Sequence, residues 1–523
     1  MALVRTQRIS YSREGKKHTA SDAEITVRPE SAIKVTSVTS QTLFKDSVRS
    51  GGGGDADDFW KDSYLVSATG ANAGKARRIT AFANVDGAFT IASAFPNTVA
   101  VNDLFAIKRF VNANDVEFSP DLNRIVRNTL GKGLGRSIPI TILEGASAAF
   151  SAHVTGSGTY PAADTALLSP PLSDLYRAAM GKATSDKPSA VSGGASTTAV
   201  VDITTGKHEQ FSIGNLVLVE DVNASGIIID EARWIVGKTD GGAGVDQLHV
   251  KPAFTVAPAT GKRVYASTTF GMITSGHPRV TIEIYQPDGT TDGQVVILRN
   301  CLANLELSGD ASNLLAVKFD VVGSELSVSS MGASHFSRTI SNSEVDDEPT
   351  AFGPVQTTNG EFGFRTAPAA SATGTAYSGS LRDGTKITLA NGNTIARKRT
   401  FNSSTGVAST FVSARNPTLS LSLYLEGAFP DFADLKDAVI KDLQVQFFGN
   451  KEVSAVVKGT VFALRVPYAI VSDYKQGDQD GVLTLDLTME PAVDKSEGFE
   501  DPDLGGVAHN SPLIDDEFRF GIV

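Results

Sequence analysis

The sequence predicts a mainly β protein with several domains. It contains 49 glycines, and many of them separate short apolar stretches, as in chains with many strands and turns. Between residues 386 and 426, apolar residues alternate with polar ones, at Ile387 and Leu389 and again from 419 to 425. A period of two is that of a half-buried strand. Gly392 stands between these stretches and suits a turn with positive φ.

Length and composition are those of a globular, multidomain chain. At 523 residues the chain exceeds what one compact core accommodates, and its apolar and charged contents are 41% and 20%. No apolar run is long enough to span a membrane, and residues 1–18 are charged, so no secretory signal is expected. The single cysteine, Cys301, excludes an intrachain disulfide and fits a buried residue of a protein assembled in a reducing cytoplasm.

The net charge of −11 argues against a protein that binds nucleic acid through its phosphates. It is compatible with a wall along which DNA slides, because net negative charge repels phosphate. Solubility explains an acidic composition equally well.

Two segments of the chain resemble each other and predict a pair of small inserted modules. The first, Asp62–Lys108, and the second, Phe211–Ser267, each contain a Leu-Val strand and then an Arg-containing strand. The Arg-containing strands are Arg78-Ile79 and Arg233-Trp234-Ile235, and each segment then reaches an Ala-Phe pair, Ala94-Phe95 or Ala253-Phe254. A few short strands of this kind are enough for a small β-barrel.

When the modules are removed, the remaining pieces form two larger domains. The predicted division is 1–35 for an N-terminal arm and first strand, 36–110 for the first module, 111–185 with 269–345 for the first large domain, 186–268 for the second module, 346–385 for a linker, 386–492 for the second large domain and 493–523 for an acidic C-terminal tail.

Each large domain is predicted to carry a short helix. In the first, Ser169 is the expected N-cap, Pro170 the first helical residue and Gly181 the residue after the helix. One helical face is apolar and consists of Leu172, Leu175, Tyr176 and Ala179. In the second, the helix is expected over Pro430–Lys441.

Several strands of the large domains can be read from the sequence. They are expected over Val280–Tyr285, Val295–Cys301, Leu302–Leu307, Leu314–Val322, Leu443–Phe448, Val453–Val457, Thr460–Val466 and Leu483–Met489, with turns at Pro287-Asp288-Gly289 and Ser308-Gly309-Asp310.

This order of elements resembles the major tail tube proteins of long-tailed bacteriophages. In the first half, a strand ending in SAHVTGSG leads to the Leu-rich helix that stops at Gly181, and then to a hairpin and three strands. In the second half, a strand with a Gly-Asn turn leads to Arg415-Asn416-Pro417 and a Ser-alternating strand. The inserted modules depart from the family pattern.

The resemblance implies two tail-tube-like β-sandwich domains in one non-enzymatic virion subunit. Such subunits would form trimeric rings whose six tube domains approximate sixfold symmetry, and the rings would stack into a channel for DNA. The implied partners are further copies of the chain, a tape-measure protein, a tail terminator and baseplate proteins. The implied location is the virion tail, assembled in the host cytoplasm. The modules are expected to face outwards, and no cofactor, metal or membrane is implied.

The two ends of the chain carry opposite charge, which suits head-to-tail stacking of identical subunits. The basic end contains Arg5, Arg8, Arg13, Lys16 and Lys17, and the acidic end contains Asp494, Glu497, Glu500, Asp501, Asp503, Asp515, Asp516 and Glu517. Charged, disordered termini are an equally good interpretation.

Motifs for chemistry are weak, so no catalytic, cofactor-binding or metal-binding residue is predicted. Gly70–Lys75 (GANAGK) has the wrong spacing for a phosphate loop, and Gly131–Gly135 (GKGLG) lacks the third glycine of a dinucleotide site. Asp478–Gly481 (DQDG) reads as a turn, because an EF-hand would need acids at Gln476 and Leu487. The seven histidines are scattered along the chain: His18, His153, His208, His249, His277, His335 and His509.

Two other functions stay open. A baseplate or distal tail ring protein shares the tube fold but forms one ring. A carbohydrate-binding or carbohydrate-cleaving β protein would show solvent-facing aromatic residues beside paired carboxylates. Only two tryptophans, Trp60 and Trp234, are present to supply such a platform.

Overall fold

The structure is a computed structural model of the chain. It describes residues 8–14, 32–50, 57–111, 113–125, 140–156, 169–193, 196–222, 228–242, 244–251, 253–273, 275–287, 293–330, 355–357, 360–366, 381–401, 407–424, 440–448, 451–452, 455–456, 461–479, 481–492 and 517–523. These residues fold almost entirely into antiparallel strands, so the predicted mainly β class is confirmed. Within them, no helix is long and apolar enough to cross a membrane.

A first strand and a small barrel come first in the chain. The strands are β1 (Arg8–Glu14), β2 (Ala32–Lys34), β3 (Ser37–Ser40), β4 (Leu43–Lys45), β5 (Tyr64–Ser67), β6 (Ala76–Ala83), β7 (Ala88–Ile91) and β8 (Leu104–Val111). Six of these strands form a sheet in the order β2–β8–β5–β6–β7–β4. The sheet curls into a barrel, which is closed between β2 and β4 by a hydrogen bond of 2.8 Å from the Thr36 amide to the Lys45 carbonyl. We call this unit barrel 1. Its core includes Phe44, Trp60 and Phe89.

Two strands, the helix and a short strand follow barrel 1. They are β9 (Asn114–Ile125), β10 (Ile140–His153), α1 (Ser173–Met180) and β11 (Gly181–Ser185). The predicted apolar face of the helix is buried, and Gly181 ends the helix with φ of +101°. The N-cap prediction is wrong. Leu172 occupies that position, because the Ser169 hydroxyl is bonded instead to Arg109 and Ser173.

Barrel 2 repeats the topology of barrel 1. Its strands are β12 (Ser189–Ala190), β13 (Val200–Ile203), β14 (Leu216–Val222), β15 (Ile228–Thr239), β16 (Asp246–Lys251) and β17 (Arg263–Ala266). They pair in the order β12–β17–β14–β15–β16–β13, and a bridge between Val191 and Ile203 closes the circle. In chain order, these six strands match β2, β4, β5, β6, β7 and β8 of barrel 1.

The barrels also share one arginine arrangement in detail. In barrel 1, Arg77 donates from Nε to the Ala94 carbonyl at 3.0 Å, and its guanidinium lies 5.3 Å from the Phe95 ring centre. In barrel 2, Arg233 donates from Nε to the Ala253 carbonyl at 3.2 Å and lies 5.5 Å from the Phe254 ring centre. The equivalent of Arg233 is therefore Arg77, and Arg78 takes the place of Trp234.

The rest of the first large domain follows barrel 2. Its strands are β18 (Thr268–Met272), β19 (Arg279–Pro287), β20 (Gly293–Asp310), β21 (Ala316–Gly323) and β22 (Glu325–Ser330). Two predicted strands, Val295–Cys301 and Leu302–Leu307, are one long strand, β20. The predicted turn at residues 308–310 lies within β20, because these residues pair with the second large domain. The predicted turn at 287–289 lies mostly outside the described residues.

The second large domain contains the remaining strands. They are β23 (Gly360–Thr366), β24 (Leu381–Arg382), β25 (Gly384–Ala390), β26 (Asn393–Arg399), β27 (Val407–Arg415), β28 (Thr418–Tyr424), β29 (Ile440–Phe448), β30 (Lys451–Glu452), β31 (Ala455–Val456), β32 (Val461–Gln479), β33 (Val482–Pro491) and β34 (Arg519–Ile522). The helix expected over 430–441 falls outside the described residues except for Ile440 and Lys441, which begin β29.

Two parts of the predicted domain division need correction. The segment 346–385, expected to be a linker, contains β23, which pairs along its whole length with β29. The segment 493–523, expected to be an acidic tail, ends in β34, which is buried between β18 and β32. Backbone pairing across the sheet thus overrides the polar composition of both segments.

Candidate assembly interface

A backbone ladder joins the two large domains. Residues Glu306–Asp310 of β20 pair antiparallel with Lys386–Ala390 of β25. The apolar side chains of this ladder, Leu307, Ile387 and Leu389, are buried. The result is one eight-stranded sheet with the order β9–β10–β21–β20–β25–β28–β33–β32.

Two asparagines of the second domain form hydrogen bonds to the first domain beside this ladder. The Leu305 amide donates to Asn391 Oδ1, and Asn391 Nδ2 donates to the Ala179 carbonyl, both at 3.0 Å. Asn393 Nδ2 reaches the same Ala179 carbonyl at 2.7 Å. Ala179 lies in the last turn of α1, where carbonyls lack a partner within the helix. Side chains of the second domain therefore supply the hydrogen-bond donors for a carbonyl at the end of the first domain's helix.

The β26–β27 hairpin of the second domain extends over the first domain. Arg397 contacts the Asp121 carboxylate and donates from Nε to the Gly323 carbonyl at 3.1 Å. The Thr410 hydroxyl donates to the Asn300 carbonyl at 2.6 Å. The hairpin thus adds contacts between the two domains beyond those of the β20–β25 ladder.

The two large domains have the same strand order. The sheet β9–β10–β21–β20 of the first domain corresponds to β25–β28–β33–β32 of the second. The second sheets correspond likewise, as β1–β19–β20–β22 and β23–β29–β32–β34. In both domains, one long strand, β20 or β32, runs from one sheet into the other.

Because the domains correspond, each residue at the junction has an equivalent elsewhere. Phe118 pairs with Ala148, and Ala148 pairs with Val321. Leu389 pairs with Leu419, and Leu419 pairs with Met489 in the same way. When β10 and β28 are aligned at their last residues, His153 and Tyr424, Ala148 matches Leu419. The pairs above then make Val116 and Phe118 of β9 equivalent to Ile387 and Leu389 of β25.

The equivalent residues differ in burial. Ile387 and Leu389 are 4% and 0% exposed, whereas Val116 and Phe118 are only partly buried and the neighbouring Leu122 is 50% exposed. Similarly, Val328 of β22 is 54% exposed, whereas its equivalent Phe520 of β34 is fully buried. The first domain therefore has partly exposed apolar side chains on β9 and β22, whereas the equivalent side chains of the second domain, on β25 and β34, are buried.

Two strand edges of the eight-stranded sheet carry no neighbour within the described part of the chain. One is the outer edge of β9, which pairs with β10 alone. The other is the stretch Lys475–Gln479 of β32, which pairs with β33 alone. By register, Lys475–Gln479 is the equivalent of the stretch of β20 that pairs with β25. Open edges of this kind are ready to pair with another chain.

One face of the eight-stranded sheet is polar, and the other packs into the core. We call the exposed side the polar face. Its small residues include Ser147, Ala149, Ser151, Ser308, Thr388, Ser420 and Ser422. Its charged residues include Glu306, Asp310, Lys318, Asp320, Lys386, Asp486 and Glu490. Lys318 Nζ lies 3.5 Å from Asp320 Oδ1, and Lys386 Nζ lies 3.7 Å from Asp310 Oδ1, so both lysines form ion pairs. Because the acidic residues named here outnumber the lysines, this set of charged residues is acidic on balance.

The weak phosphate-loop motif is a structural turn. Gly70–Asn72 form a 3-10 turn, and the Gly74 amide donates to the Ser67 carbonyl at 2.8 Å. The Lys75 amide donates to the Asn72 carbonyl at 2.9 Å, so these amides are used within the turn rather than presented to an anion. The GKGLG motif at 131–135 lies outside the described residues. In the DQDG motif, Asp480 lies outside the described residues, and the Gly481 amide donates to Asp478 Oδ1 at 3.0 Å, as a turn requires.

The structure assembles one cluster that sequence spacing did not indicate. His208, Asp240 and Asp246 lie together in barrel 2, although His208 is more than 30 residues from the two aspartates in the chain. Asp246 Oδ2 accepts from the Lys207 amide, the His208 amide and His208 Nδ1 at 2.8–2.9 Å, and Oδ1 accepts from the Gly241 amide at 3.1 Å.

These donors fit a buried anion better than a cation site. Burial alone favours the neutral acid, but hydrogen bonds from His208, Gly241 and Lys207 outweigh it and hold the pKa of Asp246 well below its usual value. All four donors point at the carboxylate oxygens that a metal ion would need. The cluster therefore fastens a 3-10 turn, Lys207–Gln210, to strand β16.

Both tryptophans are buried, so neither supplies the solvent-facing aromatic platform that a carbohydrate-binding protein would need. Trp60 is 1% exposed and Trp234 is 0% exposed.

Some residues of the two charged ends lie in the described part of the chain. Arg8 and Arg13 lie in β1, and Glu517 Oε1 forms an ion pair with Arg415 at 2.7 Å.

No family model matches the sequence, and no curated protein matches it.

Proposed function

We propose that this chain is the structural subunit of a viral tail tube, which assembles into rings through the open edges of its eight-stranded sheet. The observation that carries the proposal is the internal junction between β20 and β25. The chain contains one complete copy of a domain-to-domain contact, and the two strand edges that would form a second copy lie open at the two sides of the eight-stranded sheet.

Pairing the open edge of β32 with β9 of a second copy repeats the internal junction. Such a contact joins different surfaces of identical subunits, so it propagates and closes into a ring when the rotation permits. The half-buried Val116 and Phe118 would then become buried, as Ile387 and Leu389 already are. The closed form implied by the family resemblance is a trimeric ring of six domains.

The polar face supports a lumen for DNA. In a closed ring of such sheets, one face must point inwards, and the face opposite the hydrophobic core is lined with small and acidic side chains. Short side chains leave the channel smooth, and net negative charge disfavours binding of phosphates. A tape-measure protein, a tail terminator and baseplate proteins are the partners proposed with this function.

Cysteine crosslinking tests the junction. Lys475 on β32 and Ser119 on β9 are the equivalents of Glu306 and Ala390, which pair directly within the chain. The double variant Ser119→Cys/Lys475→Cys should form disulfides between chains under oxidation. Glu306→Cys/Ala390→Cys is the matched control and should form its disulfide within one chain. Ser119→Cys/Lys475→Cys chains that stay monomeric at assembling concentrations, while the control crosslinks, would contradict the proposal.

Electron microscopy of the purified protein distinguishes a tube from a single ring. Stacked rings with a central channel are expected for a tail tube subunit, and isolated rings would favour a baseplate or distal tail component. Monodisperse monomers at all concentrations would count against both.

A further inference from the structure

Barrel 2 belongs to the first large domain by chain connection. It is inserted after α1, and its two ends form a two-stranded stem in which β11 pairs with β18 from Gly181–Met272 to Ser185–Thr268. The stem packs beside α1, where Tyr176 lies 5.0 Å from Phe270, measured between ring centres. The base of barrel 2 is therefore fixed to the first domain.

The body of barrel 2 packs on the second large domain. Strand β18 of the stem pairs with β34, which in turn pairs with β32. On the outside of the barrel, a buried apolar cluster joins it to the second domain, and its members are Leu216, Leu218, Ala232, Trp234, Tyr265, Val461, Ala463 and Val523. Gln446 Nε2 also donates to the Ala232 carbonyl at 3.1 Å, and the Arg519 guanidinium lies 5.3 Å from the Trp234 ring centre.

Barrel 1 uses the same outer face, and among the described residues this face packs against the first large domain. Tyr64, Val66 and Ala76, the equivalents of Leu216, Leu218 and Ala232, pack against Tyr285 and Val295 of the first large domain. Lys108 on this barrel forms a 2.5 Å ion pair with Glu283. Two equivalent barrels thus bind equivalent surfaces, but only barrel 2 connects one large domain to the other.

We propose that barrel 2 is a clamp that fixes the angle between the two large domains. It is held at both ends, by the stem on the first domain and by the apolar cluster on the second, and it adds to the β18–β34 ladder that also joins the domains. Rotation of one domain about the β20–β25 ladder must therefore break the stem contacts or the apolar cluster. The consequence for a ring rests on the proposed function: a fixed angle within each chain sets the curvature with which successive domains are added.

Undocking barrel 2 without unfolding it tests the clamp. Leu218 faces out of the barrel and is absent from the barrel's own core, so Leu218→Lys breaks the contact with the second domain and spares the fold. Val66→Lys at the equivalent position of barrel 1 is the matched control. The fluorescence of Trp234, which is fully buried in this contact, reports whether the barrel has left the second domain, because an exposed tryptophan emits at longer wavelength. Trp60 lies in the core of barrel 1, and Leu218→Lys leaves its surroundings unchanged.

The angle is measured in the single chain, which keeps this test independent of ring formation. Spin labels at Lys318→Cys and Glu490→Cys lie on exposed positions of the two domains, and the buried Cys301 stays unlabelled. The distance distribution should broaden in Leu218→Lys and match the parent protein in Val66→Lys. An unchanged distribution in Leu218→Lys, with Trp234 fluorescence showing that the barrel has undocked, would overturn the clamp.

A deletion provides a second variant. Because Ser185 pairs with Thr268 at the end of the stem, residues 186–267 can be replaced by a two-residue Asn-Gly turn that closes the hairpin. This variant should show the same broadening, and its rings should vary in diameter if the parent protein forms rings. If the parent forms none, the proposed function fails, whereas the distance measurement still decides the clamp. A narrow, parent-like distribution in the deletion variant would contradict it.

Discussion

The Asn391 side chain in the second large domain donates from Nδ2 to the Ala179 carbonyl in the first, at 3.0 Å. The same side chain accepts the Leu305 amide through Oδ1 at 3.0 Å. Asn391 is fully buried, so one amide group satisfies a donor on β20 and an acceptor on α1 without help from solvent.

Replacing Asn391 by alanine should destabilise the junction strongly. Asn391→Ala leaves a buried N–H and a less satisfied buried C=O, which together cost about 2–4 kcal/mol. The free energy of unfolding, measured with denaturant, should fall by this amount. Asn416→Ala, at an exposed position after the hairpin, should change it by no more than about 0.5 kcal/mol. Equal effects of the two substitutions would show that the Asn391 contacts contribute little.

The turn at Gly392 should not accept a side chain. The sequence predicts a positive φ here, and the structure confirms it with φ of +59°. An added Cβ would lie 2.0 Å from the Asn416 carbonyl oxygen, so Gly392→Ala adds a backbone clash to the strain of positive φ. Gly206 has φ of +75° and no atom within 4 Å of an added Cβ, so Gly206→Ala carries the cost of positive φ without a clash.

Thermal unfolding can separate the two costs. Gly206→Ala should lower stability by about 1 kcal/mol, the cost of a left-handed conformation for a residue with a Cβ. Gly392→Ala should cost at least twice as much, because the Asn416 backbone must also move. A Gly392→Ala protein as stable as Gly206→Ala would show that the turn relaxes freely.

Asp186 makes the stability of barrel 2 depend on pH. Burial raises its pKa from 3.8 to about 7, although the Ser212 amide, Asn215 and the positive charge of Lys238 favour the ionised form. Well below pH 3.8 the carboxyl is neutral in the folded and unfolded chains alike. As pH rises towards 7, the unfolded chain loses its proton first, so the stabilisation is progressively lost.

The predicted loss is about 4 kcal/mol between pH 4 and pH 8, from three pKa units at about 1.36 kcal/mol each. Asp186→Asn removes this titration and should therefore stabilise barrel 2 at pH 8 relative to the parent, with little difference at pH 4. Denaturant unfolding at the two pH values measures the difference. Asp115→Asn, at an exposed position, is the control. A parent-to-variant difference that is the same at both pH values would refute the assignment.

Local patterns in the sequence predict the strands with a buried face. Leu419, Leu421 and Leu423 alternate with polar residues and are buried as expected. The apolar face of α1 is correct for the same reason, because its residues repeat with helical spacing. In both cases the neighbours in sequence are sufficient to determine which side chains face the core.

Long-range contacts explain the elements that the sequence did not reveal. Strand β34 has four buried residues in a row, including Arg519, so it shows no alternation, and only its pairing with β18 and β32 makes it a strand. Ser169 fails as an N-cap because Arg109, from barrel 1, binds its hydroxyl. The cluster of His208 and Asp246 is likewise made by barrel closure, which no local spacing encodes.

The equivalence of Phe118 and Leu389 predicts that one substitution has two different outcomes. Leu389→Lys places a charge in the fully buried junction within the chain and should destabilise the fold by several kcal/mol. Phe118→Lys places the same charge at a half-buried edge, where the side chain can reach solvent, so the monomer should remain folded. In the proposed assembly, however, Phe118 would occupy the position that Leu389 occupies within the chain, so the Phe118→Lys protein should form no rings. Circular dichroism measures the first effect, and sedimentation velocity measures the second. Rings of normal size formed by the Phe118→Lys protein would exclude β9 as the assembly edge, whereas loss of secondary structure in that variant would show that β9 is already part of the folded core.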